Sequence, residues 1–164
     1  LFFVFSCIFC VFLRLTYFFT VTKTMKILAI DFGTRRMGFA LGNTAIGSAV
    51  PLDAVDGKNS ARFIAHIKQL VGEYEIERIL MGYPLNMDGT KSETTGLVEN
   101  FSRRLEKSLH PPIKIEFVDE RLTSFEAEEE LKALYPDYRK RKKFLDSTAA
   151  LVILRNCMAE ESKK

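Results

Sequence analysis

Apolar runs and polar interruptions follow one another along most of this chain, and their periods predict its elements. Ile27, Leu28, Ala29 and Ile30 form an uncharged run that suits a strand covered on both faces. It stops at Asp31, and Met37 to Leu41 resumes the apolar character, which predicts a β-hairpin with Arg35 and Arg36 at its turn. Ile46 to Val55 reads as a third strand, made irregular or edge-like by Gly47 and Pro51. Asn59 or Ser60 then caps a helix with Phe63, Ile64, Ile67, Leu70, Val71 and Tyr74 on one face. Arg78 to Gly82 is a fourth strand, and Tyr83 to Thr90 a polar loop. Thr94 or Thr95 starts a second helix, with Leu97, Val98, Phe101, Leu105 and Leu109 facing inward and Pro111-Pro112 ending it. Ile113 to Val118 alternates around Lys114 and Glu116, the pattern of a fifth strand. Thr123-x-x-Glu126 reads as the capping box of a helix through Leu134, stopped by Pro136. A basic linker, Arg139 to Lys143, leads to a last helix in which Asp146, Ala149, Ala150 and Ile153 share one face.

Strands joined by short turns pair antiparallel, and strands joined through helices pair parallel by right-handed crossovers. The expected fold is therefore α/β: a mixed five-stranded sheet, strands 1–3 antiparallel and strands 4 and 5 parallel to strand 1, with helices on both faces. That is the ribonuclease H-like layout.

The first 24 of the 164 residues stand apart, aromatic-rich and without an acid. A signal peptide needs a basic start and a small-residue cleavage site, and this segment has neither. Arg14 near its centre would cost a membrane span about 2.5–3.5 kcal/mol. The expectation is a non-native or artefactual extension, 1–24, before a single ribonuclease H-like domain over 25–164. Setting aside Arg14 and Lys23 leaves 22 basic against 21 acidic residues, so bulk charge makes no case for a nucleic-acid partner and local clusters must. Cys7 and Cys10 fall in the apolar leader and Cys157 stands alone, which fits a reducing cytoplasm. His66 and His110 read as surface residues.

The candidate chemistry lies in carboxylates just beyond strands. Asp31 ends the first strand, where open α/β sheets bind their ligands, and Gly33 permits a close approach. Asp119 and Glu120 follow the fifth strand, and Asp146 sits on the last helix. Three such acids repel one another unless a cation lies among them. Phosphodiester hydrolysis uses two divalent cations about 3.5–4 Å apart, and oxygen ligands suit Mg²⁺ or Mn²⁺. The expected catalytic set is Asp31, Glu120 and Asp146, all metal ligands, with Asp119 a fourth ligand or turned away because extended neighbours face opposite sides. Each acid also has a plain structural reading: a turn residue for Asp31, an ion pair to Arg121 or Arg35 for Glu120, a helix N-cap for Asp146.

Four stretches together carry a resemblance: Ile30-Asp-Phe-Gly-Thr-Arg-Arg-Met-Gly38, Gly82-Tyr-Pro-Leu-Asn-Met-Asp-Gly-Thr90, Asp119-Glu-Arg-Leu-Thr123 and Leu145-Asp-Ser-Thr-Ala-Ala150. In this order they resemble the bacterial YqgF/RuvX family, from Met25 to the C-terminus. The resemblance implies a nuclease of ribonuclease H-like fold, implicated in maturing the 5′ end of 16S rRNA and related to Holliday junction resolvases. Tyr83 departs from the smaller aliphatic residue usual there, which touches none of the acids. Candidate phosphate contacts are Arg35, Arg36, Asn86, Arg121 and the run Arg139, Lys140, Arg141, Lys142 and Lys143, since cations position a polyanion without reading sequence. The plain alternative for the run is a solvated linker. The expected partner is structured RNA, pre-16S rRNA foremost, with branched DNA as the alternative substrate; a non-catalytic binding module is the other class of function. The loop Asn86 to Thr90 reads as a flap pivoting on Gly89 or as a simple surface loop. Sugar-kinase and actin-type ATPases also begin with a strand, Asp-x-Gly-Thr and a hairpin, but need two such domains, and this chain has room for one.

Overall fold

The computed structural model describes residues 25–57, 59–119 and 138–161, with side chains in the last segment from Ser147 to Glu160. Residues 1–24, Glu120, Arg121 and the helix expected over Thr123 to Leu134 lie outside the described residues, as do the side chains of Arg139 to Lys143 and Asp146.

Five strands, β1 (Lys26–Asp31), β2 (Arg36–Asn43), β3 (Ser48–Asp56), β4 (Arg78–Tyr83) and β5 (Lys114–Asp119), form one sheet in the order β3-β2-β1-β4-β5. β1 pairs antiparallel with β2 and parallel with β4, β2 pairs antiparallel with β3, and β4 parallel with β5. This is the expected ribonuclease H-like sheet. Helices α1 (Ser60–Tyr74) and α2 (Glu93–Ser108) supply the parallel crossovers, and α3 (Tyr138–Glu161) closes the chain.

Alternation along β1 divides the core in two. Leu28 and Ile30 join Phe63, Ile67, Val98, Phe101 and Leu105 of α1 and α2. Ile27 and Ala29 turn the other way, onto Ala150, Leu151, Ile153 and Leu154 of α3. All four β1 residues are completely buried, which is why the run carries no polar residue. Gly42 of β2 lies close beneath α3, and a Cβ there would stand 2.7 Å from Leu154 Cδ1, so that side chain would have to shift.

Several boundaries differ from the sequence reading. The third strand begins at Ser48, because residues 44–47 form a turn in which Asn43 Oδ1 accepts from the Ala45 N–H and Gly47 has φ 59°. Ile46 is left exposed there. Arg36 opens β2, paired with Asp56, and only Arg35 remains in the bend. Asn59 caps α1, accepting from the Ala61 N–H, a contact worth about 1 kcal/mol. Ser92, not Thr94 or Thr95, caps α2: its hydroxyl accepts from the Thr95 N–H while Thr95 Oγ1 accepts from the Ser92 N–H. Leu97 is 45% exposed rather than inward-facing. His66 is partly buried, its ring edge-on to Phe39 at 5.2 Å, and burial lowers its pKa. The basic run is not a linker, because α3 already begins at Tyr138. None of the described helices is long and apolar enough to cross a membrane.

Candidate active site

Register fixes the levels across the sheet. Ile30 lies beside Phe39, Phe39 beside Leu52, Ile30 beside Met81, and Met81 beside Phe117. Asp31 is one step further toward the carboxyl edge of the central strand, half-buried. By the alternation that sends Ile27 and Ala29 to α3, its side chain turns to the α3 face. Its antiparallel partner is Gly38, and the parallel register continued by one step brings Gly82 to its other side. Ala40 and Leu80 of β2 and β4 pack against α3, so Gly38 and Gly82, two residues away on each strand, belong to that same face. Asp31 is thus bordered on both flanking strands by residues that contribute no side chain.

Gly33 is indispensable for a local reason. A Cβ would stand 2.1 Å from the Arg36 carbonyl oxygen, so the close neighbour is the hairpin's own backbone.

The last helix is pinned to this region. Ser147, completely buried, donates from Oγ to the Leu52 carbonyl at 2.6 Å, at the sheet level of Ile30. Ten residues later Cys157 Sγ lies 3.6 Å from Arg78 Nη2, at the level of Ile27. α3 therefore runs antiparallel to β1, and its N-terminal part overlies the carboxyl edge. Position 146 precedes Ser147 by one residue and lies on the helical stripe of Ala150 and Ile153, both completely buried against the sheet. It is eight residues inside the helix, so the N-cap reading of Asp146 does not hold. The basic run 139–143 continues the same helix past Ser147, roughly 6–12 Å beyond it at 1.5 Å per residue.

Asp119 is placed differently. Ile115 packs on the α1/α2 side and Val118 on the α3 side, so alternation assigns the exposed Asp119 to the face opposite Asp31. Among the described residues no three His, Cys, Asp or Glu side chains gather as a metal site; Glu120 and the Asp146 side chain lie outside that set. The donors the sequence offers at this edge are carboxylate oxygens, which fit Mg²⁺ or Mn²⁺ and not a thiophilic metal.

The expected phosphate contacts separate. Arg35 is exposed at the edge. Arg36 is engaged with Asp56, Nε to Oδ1 at 3.3 Å. Asn86 spends its amide within its own loop, donating to Thr90 Oγ1 at 2.8 Å and to the Lys91 carbonyl at 3.5 Å. The loop is closed on itself by Asn86 N–H to Thr90 O and by Asp88 Oδ1, which accepts from Thr90 N–H and Oγ1, with Gly89 at φ 82°. Ser92 and Thr95 both donate to the Pro84 carbonyl, tying the loop base to α2. Tyr83 adds to that tie, its hydroxyl donating to Glu99 Oε1 at 2.6 Å, an oxygen that also takes Lys91 Nζ at 2.6 Å. The hydrogen bond to Glu99 raises the Tyr83 pKa, and Lys91 holds Glu99 below its usual range. The roles of Gly38, Gly82 and Ser147 escaped the sequence reading because they depend on register and on which helix covers which face.

The sequence matches the family described as "RuvX: Holliday junction resolvase" over residues 25–160. The chain belongs to the RuvX family. A "Putative pre-16S rRNA nuclease" of Maridesulfovibrio salexigens is 38% identical over 135 residues, covering 82% of this chain and 98% of the relative. One of the same description from Dictyoglomus thermophilum is 34% identical over 138 residues, covering 84% and 98%. Among solved structures, RuvC of T. thermophilus in complex with a Holliday junction substrate superposes with a TM-score of 0.57 at 9% identity, covering 84% of this chain and 96% of that one. The fowlpox virus Holliday junction resolvase gives 0.51 at 12% identity, covering 85% and 100%. At such identities these two share the fold with this RuvX chain.

Proposed function

We propose that this RuvX protein is a divalent-metal-dependent endonuclease that hydrolyses phosphodiester bonds in structured RNA, with the 5′ end of precursor 16S rRNA as its substrate. The observation that carries the reading is the placement of Asp31 at the carboxyl end of the central strand, on the face covered by α3, bordered by Gly38 and Gly82. Family membership and relatives described as pre-16S rRNA nucleases supply the substrate.

Asp31, Glu120 and Asp146 are the residues that would hold Mg²⁺ or Mn²⁺. The alternation of β5 turns Asp119 to the face opposite Asp31, which favours Glu120 over Asp119 as the third acid. Bound cations supply an activated water and neutralise charge on the attacking and leaving oxygens. The protein's own part is to fix the acids on a strand and a helix that cannot shift independently, Ser147 joining α3 to β3. Arg35, with Arg121 and the run Arg139 to Lys143 at the head of α3, would receive the phosphates flanking the scissile bond. Asn86 acts instead by shaping the loop after β4. The working domain is the stretch from residue 25 onward, and the cytoplasm its compartment.

The test is cleavage by the full chain, with Mg²⁺ or Mn²⁺, of a precursor 16S rRNA fragment and of a synthetic four-way DNA junction, beside Asp31→Asn and Asp146→Asn. RNA cleavage abolished by both substitutions is the expected result. Cutting of the junction alone favours the resolvase activity in the family's description, and cleavage insensitive to both substitutions rejects the centre.

A further inference from the structure

On the sheet face away from α3, directly behind the β1–β2 turn, lies a cavity of about 270 Å³. Phe32, Phe63, Phe101 and Leu97 form its apolar walls, and Thr34, Ser60, Asn100 and Arg104 bring polar groups to it. Phe32 and Phe101 meet at 5.1 Å with a tilt of 47°, while Phe63 and Phe101 are almost fully buried. Arg104 is exposed and oriented by its Nη1–H, which donates to Ser60 Oγ at 2.7 Å, so its other guanidinium donors remain for a guest. Asn100 Oδ1 accepts from Arg103 Nη2 at 2.8 Å, which leaves the Asn100 amide to donate. The rim is therefore rich in donors and the walls are aromatic and apolar.

The volume falls just under the about 300–1,000 Å³ of drug-sized ligand sites, enough for one planar ring system. Its location matters as much as its chemistry. Phe32, Gly33 and Thr34 line it and follow Asp31 directly, so at 3.8 Å per residue Thr34 lies at most about 11 Å from Asp31. Arg35, exposed, follows Thr34 in the same bend.

We propose that this cavity receives one unstacked base of the nucleic-acid strand that runs along the Asp31 edge, and that it prefers guanine. The strand passes over the β1–β2 turn, Arg35 meets its backbone, and the adjacent base enters between Phe32 and Leu97. Guanine presents two acceptors, O6 and N7, that an arginine fork matches, and aromatic walls accept the face of any base. The inference rests on the nuclease reading for its substrate class, but its test needs no cleavage.

The full chain, isotopically labelled, is titrated with guanosine 5′-monophosphate, cytidine 5′-monophosphate and ribose 5-phosphate while its amide and side-chain resonances are followed. The guanine nucleotide should give saturable shifts at Leu97, Asn100, Phe101 and Arg104. The cytosine nucleotide should bind about tenfold more weakly, and ribose 5-phosphate should leave these signals in place. Arg104→Ala should abolish the preference, and Leu97→Trp, which fills the mouth from an exposed position, should block binding; an unchanged remainder of each spectrum shows that the fold is kept. Equal shifts with ribose 5-phosphate, shifts confined to the Asp31–Gly82 edge, or no saturable shift would overturn the proposal. Asp31→Asn should retain the guanine nucleotide, and absence of cleavage by the unsubstituted chain with this binding intact counts against the nuclease reading alone.

Discussion

The two ends of the sheet hold carboxylates in opposite ways. At the amino edge Glu116 lies between cations, with Arg78 Nη2 at 2.6 Å from Oε2 and Lys114 Nζ at 2.8 Å from Oε1. The Arg78 hydrogen bond holds the Glu116 carboxyl below its ordinary acidity range despite burial. At the carboxyl edge Asp31 has Gly38 and Gly82 as its neighbours across the sheet. An acid matched to cations of its own protein has its charge balanced by the fold, whereas the glycines that flank Asp31 put no cation beside it across the sheet. Neighbours on the flanking strands, as well as the acid itself, thus set how a carboxylate in the sheet is balanced.

That contrast breaks most visibly under substitution. Asp31→Asn should lower RNA cleavage by about a thousandfold or more, the loss of several kcal/mol of metal-assisted stabilisation, read by single-turnover cleavage, while thermal stability stays near wild type. Ser147→Ala removes the link from α3 to the Leu52 carbonyl. It should cost about 1 kcal/mol of stability and, by loosening the placement of residue 146, about tenfold in cleavage. Glu116→Gln should leave cleavage unchanged and cost about 1–2 kcal/mol in urea unfolding, because Arg78 loses its charged partner. Its pH dependence has a definite sign. A carboxyl whose folded pKa is depressed contributes stability that is present above the ordinary value of 4.5 and is lost as pH falls through the folded pKa. Wild type should therefore lose stability below that value more steeply than Glu116→Gln does. Tyr83→Phe should have the smallest effect: Glu99 keeps Lys91, cleavage should be unaltered, and only amide exchange in residues 85–91 should quicken.

Much of the fold was legible because it is written in local periods. The uncharged run Ile27 to Ile30 marks a doubly covered central strand, and the helical spacing of Phe63, Ile67 and Leu70 marks the buried stripe of α1. The errors fall where a side chain had to choose between local and distant partners. Ser92 took the cap of α2 because the Pro84 carbonyl and Thr95 reward it together. Leu97 looked inward by spacing, yet it lies at the mouth of the cavity behind Phe32. The place of Asp31 at the carboxyl end of the central strand could be read from the abrupt stop of its apolar run. The flanking glycines could not, since a register is a relation between strands that neither strand states alone. The basic run 139–143 carries strong helix formers, and a charge pattern alone does not distinguish a helix head from a linker.

The central claim is that Asp31 and Asp146 ligate a common cation. It is tested most directly by titrating Mn²⁺ into the full chain, Asp31→Asn, Asp146→Asn and the double variant, with free metal read by electron paramagnetic resonance. Each single substitution should weaken the tightest site at least about tenfold, and the double variant should lose little more than either, because ligands of one ion are not additive. Full-affinity Mn²⁺ binding in either single variant would contradict the account.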